Sequence, residues 1–282
     1  MKKLLPVALI CLLTVPLFWG CEKKGDPPVV PPVESLKIDF SEFTTVGRKS
    51  VNTGTDLKGT AGAENVNWGI GALVAGTWNT LITLNTIIPV AAFDLAIDND
   101  PVYIDKKTWQ WEYTFEVVGA TYKARLVGKV REDDVLWYMY ISKSGVGAYD
   151  EFLWFSGATA LDGNSGYWIL MHSQQFQEPL INIAWEKTGD QIGSISYTYV
   201  RELTDDRSMN PYKGSTIEYG LTTNTLNAYY DAHYYNLSTH AFTNVNIEWS
   251  TTVHNGRVKA PDFFQDSNWH CWDSNGLDVT CN

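Results

Sequence analysis

A chain of 282 residues with 21 basic and 32 acidic side chains, formally −11 at pH 7, is poorly suited to gripping nucleic acid or an anionic membrane face through charge. Its length beyond an N-terminal leader, about 260 residues, is enough for one sizeable domain, and one domain is the default expectation.

Lys2 and Lys3 precede a continuous apolar run from Leu4 to Trp19, the charge and hydropathy layout of a secretory leader. The run is shorter than the roughly 20 residues that span a bilayer, so a cleaved leader over residues 1–20 is expected instead of a permanent transmembrane anchor. It ends in Leu17, Phe18, Trp19, Gly20 and Cys21. This ending resembles the lipobox of bacterial lipoproteins, in which a small residue precedes a cysteine that receives a diacylglyceryl group. The resemblance covers only the first two dozen residues, and Phe18 and Trp19 are bulkier than the residues most common there. It implies a lipid anchor on Cys21 and a cell-envelope location. Loss of Lys2 and Lys3 takes the formal net charge from −11 to −13.

Glu22 to Val33 is polar and rich in proline, with Pro27, Pro28, Pro31 and Pro32. Such a stretch favours polyproline II and cannot build a core, so residues 21–35 are expected to form a semi-rigid tether of about 3 Å per residue. A charged segment after the cysteine is also similar to that of surface-displayed lipoproteins of Bacteroidota-type bacteria. The implied location is the outer membrane, facing either the periplasm or the outside.

The remainder, residues 36–282, reads as one β-rich domain. Asn65 to Phe93 carries no charge, and its alanine, leucine, glycine and threonine content suits a helix from Asn67 to Asn85. Pro89 marks a break, with Val90 to Ile97 as a short second helix, so the whole helical segment runs over 65–97. Trp68, Leu73, Trp78, Leu81 and Ile82 form its expected packing stripe. Asn67, Asn79, Thr80, Thr83, Asn85 and Thr86 make it polar for a membrane span.

From Thr108 a two-residue period recurs. Trp109, Trp111, Tyr113, Phe115 and Val117 alternate with Gln110, Glu112, Thr114 and Glu116. Tyr122 to Val130 repeats the pattern, and strands are expected at 135–142, 151–156, 166–172, 180–186, 192–201, 215–221, 226–235, 243–252 and 257–260. Turn signals such as Gly163 and Gly189 lie between them, too closely spaced for crossover helices. The expected fold is mainly β: an antiparallel meander of about ten strands over 108–260. Twist should curl it into a barrel or half-barrel with the apolar helical segment packed on or in it. In the 261–282 tail, Cys271 and Cys281 are the only cysteines left beyond the leader and the lipobox, and in an oxidising compartment they read as one disulfide.

No nucleophile elbow, zinc-protease helix, phosphate loop or dinucleotide fingerprint is present, and the expectation is a noncatalytic protein without cofactor or metal. His172, His233, His240, His254 and His270 are scattered, and Asp133–Asp134 and Asp205–Asp206 read as solvated turns. Asp273 to Asp278 loosely resembles a calcium loop but lacks its glycine and glutamate positions, so a disulfide-closed turn is preferred. Most aromatic residues occupy core positions. Trp109, Trp111, Tyr229, His233 and Tyr235 are the candidate ligand-binding residues, and the face formed by Asn227, Tyr229, Asp231, His233 and Tyr235 is polar and aromatic together. The architecture looks like that of half-barrel or lipocalin-like lipoproteins, which implies a hydrophobic ligand or a docked partner. A surface carbohydrate-binding or adhesion module is the alternative.

Overall fold

A computed structural model describes residues 24–44 and 64–281. The leader, Cys21 and the start of the tether lie outside the described residues.

The described strands form one antiparallel sheet in which every strand pairs with its neighbour in sequence. They are β1 (Val102–Tyr103), β2 (Thr108–Val117), β3 (Ala120–Val130), β4 (Asp134–Lys143), β5 (Tyr149–Ala160), β6 (Ser165–Met171) and β7 (Pro179–Thr188). The series continues with β8 (Gln191–Tyr199), β9 (Thr216–Leu221), β10 (Ala228–Asn236), β11 (Ala241–Trp249), β12 (Gly256–Lys259), β13 (His270–Trp272) and β14 (Asp278–Val279). The count is fourteen instead of about ten, chiefly because β1, β13 and β14 are two- or three-residue strands too short to show a period. No pairing joins β14 to β1, so the ladder is open.

Alternation sets the two faces. On β4, Val135, Trp137, Met139 and Ile141 are buried while their neighbours are partly exposed, and β8 repeats this with Ile195 and Tyr197. Most buried hydrophobic residues of β2 to β13 belong to one continuous core, Phe152 and Ala158 of β5 lying outside it. That core also receives two segments from upstream.

The first is residues 33–44, a 3-10 turn at Val33–Leu36 followed by extended chain and α1 (Ser41–Thr44). Leu36, Ile38, Phe40 and Phe43 are buried. Backbone outside a sheet and buried hydroxyls both need hydrogen-bond partners, and inward side chains of the strands supply several of them. Tyr197 Oη donates to Leu36 O at 2.6 Å, Tyr230 Oη donates to Asp39 O, and Trp168 Nε1 donates to Ser35 Oγ at 3.1 Å. Burial raises the pKa of both tyrosines well above the usual phenol range, so they stay donors.

The described part of the proline-rich stretch lies along the domain. Lys24 Nζ sits 4.7 Å from the Trp109 ring centre, and Pro31 and Val33 are buried. Pro28 approaches Gly128 so closely that a Cβ there would lie 3.1 Å from Pro28 Cγ and 2.8 Å from Trp137 Cζ3. Valines between the prolines provide the reason: Val30 packs against the core.

The second segment is α2 (Val66–Ala96), a single helix that runs through Pro89. The expected break there does not occur. An interior proline costs about 3 kcal/mol, and Pro89, Ala92, Phe93 and Ala96 are all buried, with Phe93 meeting Phe155 and Trp168 edge to face. Burying a phenylalanine and two alanines at about 25 cal/mol per Å2 is of the size needed to offset that cost. Of the expected stripe, Trp68, Trp78 and Ile82 are buried, whereas Leu73 and Leu81 face outward with Leu84 and Ile87. By length and composition α2 is apolar enough to cross a membrane, and one third of its most apolar window is buried on the sheet. It touches β2 and β3 near one edge of the sheet and β12, β13 and β14 at the other.

The tail follows the expected disulfide, with Cys271 bonded to Cys281. Asp273 Oδ1 accepts the N–H groups of Asn275 and Leu277 at 2.8 and 3.0 Å, which closes the turn before β14.

Candidate functional site

The candidate ligand-binding residues separate into two places. Trp109 and Trp111 on β2 point inward and are almost fully buried, Trp109 against Tyr103 at 5.3 Å and Trp111 against Trp137 at 5.7 Å between ring centres. Tyr229, His233 and Tyr235 lie on the opposite face of the sheet. On β10, Ala228, Tyr230 and Ala232 are buried, so the odd-numbered residues face outward.

Register then assembles a site from four strands. Asp231 stands opposite Glu218 on β9 and Asn246 on β11; His233 stands opposite Thr216 and Asn244; Tyr235 stands opposite Phe242. β8 adds Ser196 opposite Glu218 and Thr198 opposite Thr216. All of these side chains except Tyr235 and Phe242 line a half-open hollow of about 300 Å3. Asn246 Nδ2 donates to Asp231 Oδ1 at 2.6 Å, and His233 Nδ1 lies 2.7 Å from Asn244 Oδ1.

At one end Tyr229 lies flat over Gly220, where any Cβ would run into its ring. Its hydroxyl donates to Glu218 Oε1 at 2.6 Å, and burial, then that carboxylate, raises its pKa well above the usual range. At the other end the rings take over. His233 stacks on Phe242 with centres 4.7 Å apart and planes 7° from parallel; Phe242 meets Tyr235 edge to face at 5.6 Å, and Tyr235 meets Tyr212 at 6.3 Å. Phe242 is 42 % exposed and Tyr212 41 %, a solvent-facing aromatic ridge.

Tyr212 also lines a second, shallower hollow of about 460 Å3, formed by the end of β8 and the loop leading to β9. Its other walls include Arg201, Thr204, Asp205, Asp206 and Asn210. Arg201, only 5 % exposed, holds Glu178 Oε1 at 2.8 Å and Asp205 Oδ1 at 2.7 Å. That hydrogen bond holds the Asp205 carboxyl below its usual range, and donors from Thr204 and Ser208 pull Asp206 to about 2. Asp205 and Asp206 are exposed turn residues, as expected, and their side chains also line the hollow.

Among the described residues no group of three His, Cys, Asp or Glu side chains is placed to hold a metal ion. Sequence reading missed Glu218, Asn244, Asn246, Phe242 and Tyr212. The first three share the outward parity of their strands and could have been found by aligning β10 with both neighbours, β9 for Glu218 and β11 for Asn244 and Asn246. Phe242 fell one residue outside the expected strand, and Tyr212 sits in a loop with no period to read. Comparison with family models, with curated proteins and with solved structures finds no match for this chain.

Proposed function

We propose that this protein is a noncatalytic cell-envelope lipoprotein, anchored through Cys21, that binds a glycan on the outer face of β8 to β11. The observation that carries the reading is the hollow beside the His233–Phe242 stack. It offers hydroxyl, amide and carboxylate groups for sugar hydroxyls next to an exposed ring for the apolar face of a pyranose. The face that implied a hydrophobic ligand is lined differently. Trp137, Trp168, Trp272, Tyr197, Tyr230, Phe93 and Phe155 are fully buried against the protein's own segments, which favours packing over carriage. In this reading the sheet is an open barrel whose seam is spanned by α2, supported by the contacts of α2 with strands near both sheet edges.

Binding to a glycan array, followed by calorimetry with Phe242→Ala and His233→Ala, tests the reading. Retained binding in both variants, with folding intact, would sink it. Intact-mass measurement of protein extracted from bacterial membranes tests the anchor, since an unmodified Cys21 excludes it.

The exposed side of α2 favours a second reading, the docking of an apolar partner. Leu73, Leu84 and Ile87 lie there, and the nearby Thr77 and Thr80 hydroxyls donate to the helix's own carbonyls at 2.8 and 2.9 Å. Cross-linking from position 84 in intact cells would reveal such a partner.

A further inference from the structure

We propose that the two hollows and the aromatic ridge between them are one elongated binding face for an uncharged oligosaccharide several units long. The inference rests on the glycan reading above and specifies its ligand.

Continuity is the first argument. His233 lines the strand hollow and Tyr212 lines the loop hollow. Phe242 and Tyr235 connect them through successive ring contacts of 4.7, 5.6 and 6.3 Å. A single sugar would use one ring and a few polar groups, whereas this surface repeats the pairing of ring and polar hollow twice. Repetition along a line fits a polymeric ligand, because each added unit then meets a platform without further loss of overall rotational freedom.

Charge is the second argument. Glu218 and Asp231 line the strand hollow with no lysine or arginine among its walls. Asp205 and Asp206 line the loop hollow, where the one cation, Arg201, is held by Asp205 and by Glu178. Both aspartates are ionised at neutral pH, as their lowered pKa values require. Lys213 and Arg207 on the same loop are turned to Glu202 and Glu178. Uronate, sulfate or phosphate groups would meet like charge at both ends, in a chain already at −11. Carboxylates instead accept hydrogen bonds from neutral hydroxyls, and such charge-assisted bonds are the stronger kind.

Calorimetry on the folded chain with cellohexaose, mannohexaose and maltohexaose, their disaccharides and a hexamer of galacturonate tests the proposal. The expected result is that at least one neutral hexamer binds tenfold or more tightly than its disaccharide, with the galacturonate hexamer at least tenfold weaker than that hexamer. Tyr212→Ala, a change at a surface ring, should remove most of the gain in affinity with length. Disaccharide and hexamer binding equally, the galacturonate hexamer binding as well as the neutral one, or an unchanged length gain in Tyr212→Ala each overturns the elongated neutral face while leaving the glycan reading standing. Binding of the galacturonate hexamer alone overturns the neutral face, and failure to bind any of these glycans, neutral or charged, overturns both.

Discussion

Asp278 Oδ1 accepts the backbone N–H of Asn67 at 2.9 Å, so the last strand of the chain caps the first turn of a helix that begins more than 200 residues earlier. Oδ2 takes the N–H of Val66 at 3.2 Å, and Asn67 Nδ2 returns a bond to Cys271 O at 2.8 Å. Asn65, in the capping position, makes no side-chain cap of its own. Two of the orphan donors of α2, Val66 and Asn67, are thus satisfied from the disulfide-closed tail, with a negative charge at the positive end of the helix dipole.

Replacing Asp278 by alanine should therefore cost about 1 kcal/mol, a fall in Tm of about 2–4 °C for a domain this size. Reducing the disulfide should cost more, about 2–3 kcal/mol from the ten-residue loop in the chain-entropy account. The two losses should be less than additive, because an opened tail no longer presents Asp278 to the helix. Thermal unfolding of wild type and Asp278→Ala, with and without dithiothreitol, measures all four corners. Strict additivity would show that the cap and the disulfide act independently.

Tyr197→Phe isolates the role of tyrosine in the interior. The phenol donates to Leu36 O in a fully buried setting, so its removal leaves that carbonyl without this donor at a cost of about 1–3 kcal/mol. Leu36→Ala should cost about 2–5 kcal/mol through the cavity it leaves. Urea unfolding of both variants checks this, and a Tyr197→Phe effect below a few tenths of a kcal/mol would mean that water or a shifted neighbour restores the bond.

The pH response of the loop hollow has a definite sign. Asp206 is held at about 2 in the folded chain, against an ordinary 3.8, by Thr204 and Ser208. A depressed folded pKa contributes stability above 3.8 that is lost as pH falls through about 2. Asp205, lowered by Arg201, moves in the same direction. The Ser208 amide signal, followed by NMR from pH 5 downward, should titrate well below 3.8 and lose that transition in Asp206→Asn. A midpoint at the ordinary value would mean that the three donors do not grip the carboxylate in solution.

Which features the chain announces depends on whether a residue's task is periodic. Trp109 to Val117 shows its strand because half-burial repeats every second residue, and the pairing of each strand with the next follows from connections too short for crossovers. Residues 33–44 show nothing of the kind. Leu36, Ile38 and Phe40 alternate briefly, but the carbonyls of Leu36 and Asp39 bond to Tyr197 and Tyr230, partners that no local pattern could name. Pro89 misled for a related reason: its local cost is visible in sequence, while the burial of Ala92 and Phe93 that offsets it is tertiary. The candidate site was half legible, since the parity of Tyr229, Asp231, His233 and Tyr235 marked the face, but the facing residues on β9 and β11 depend on register.

The contrast between Trp111 and Phe242 separates binding inside the sheet from binding outside it. Trp111 is 2 % exposed and packs on Trp137, so Trp111→Ala should cost about 3–5 kcal/mol of stability. Phe242 loses little burial on truncation, and Phe242→Ala should change stability by less than about 1 kcal/mol. Its ring nevertheless carries the stack with His233 and the contact with Tyr235, so glycan affinity should fall at least tenfold. At temperatures where both variants are folded, a ligand held on the outer face follows Phe242 and ignores Trp111. A ligand held among the inward aromatics does the reverse, because removing the Trp111 indole opens space beside Trp137 while Phe242 stays on the far side of the sheet. Calorimetric titration of the two variants, paired with their unfolding curves, therefore reads the face of the sheet on which ligand binds.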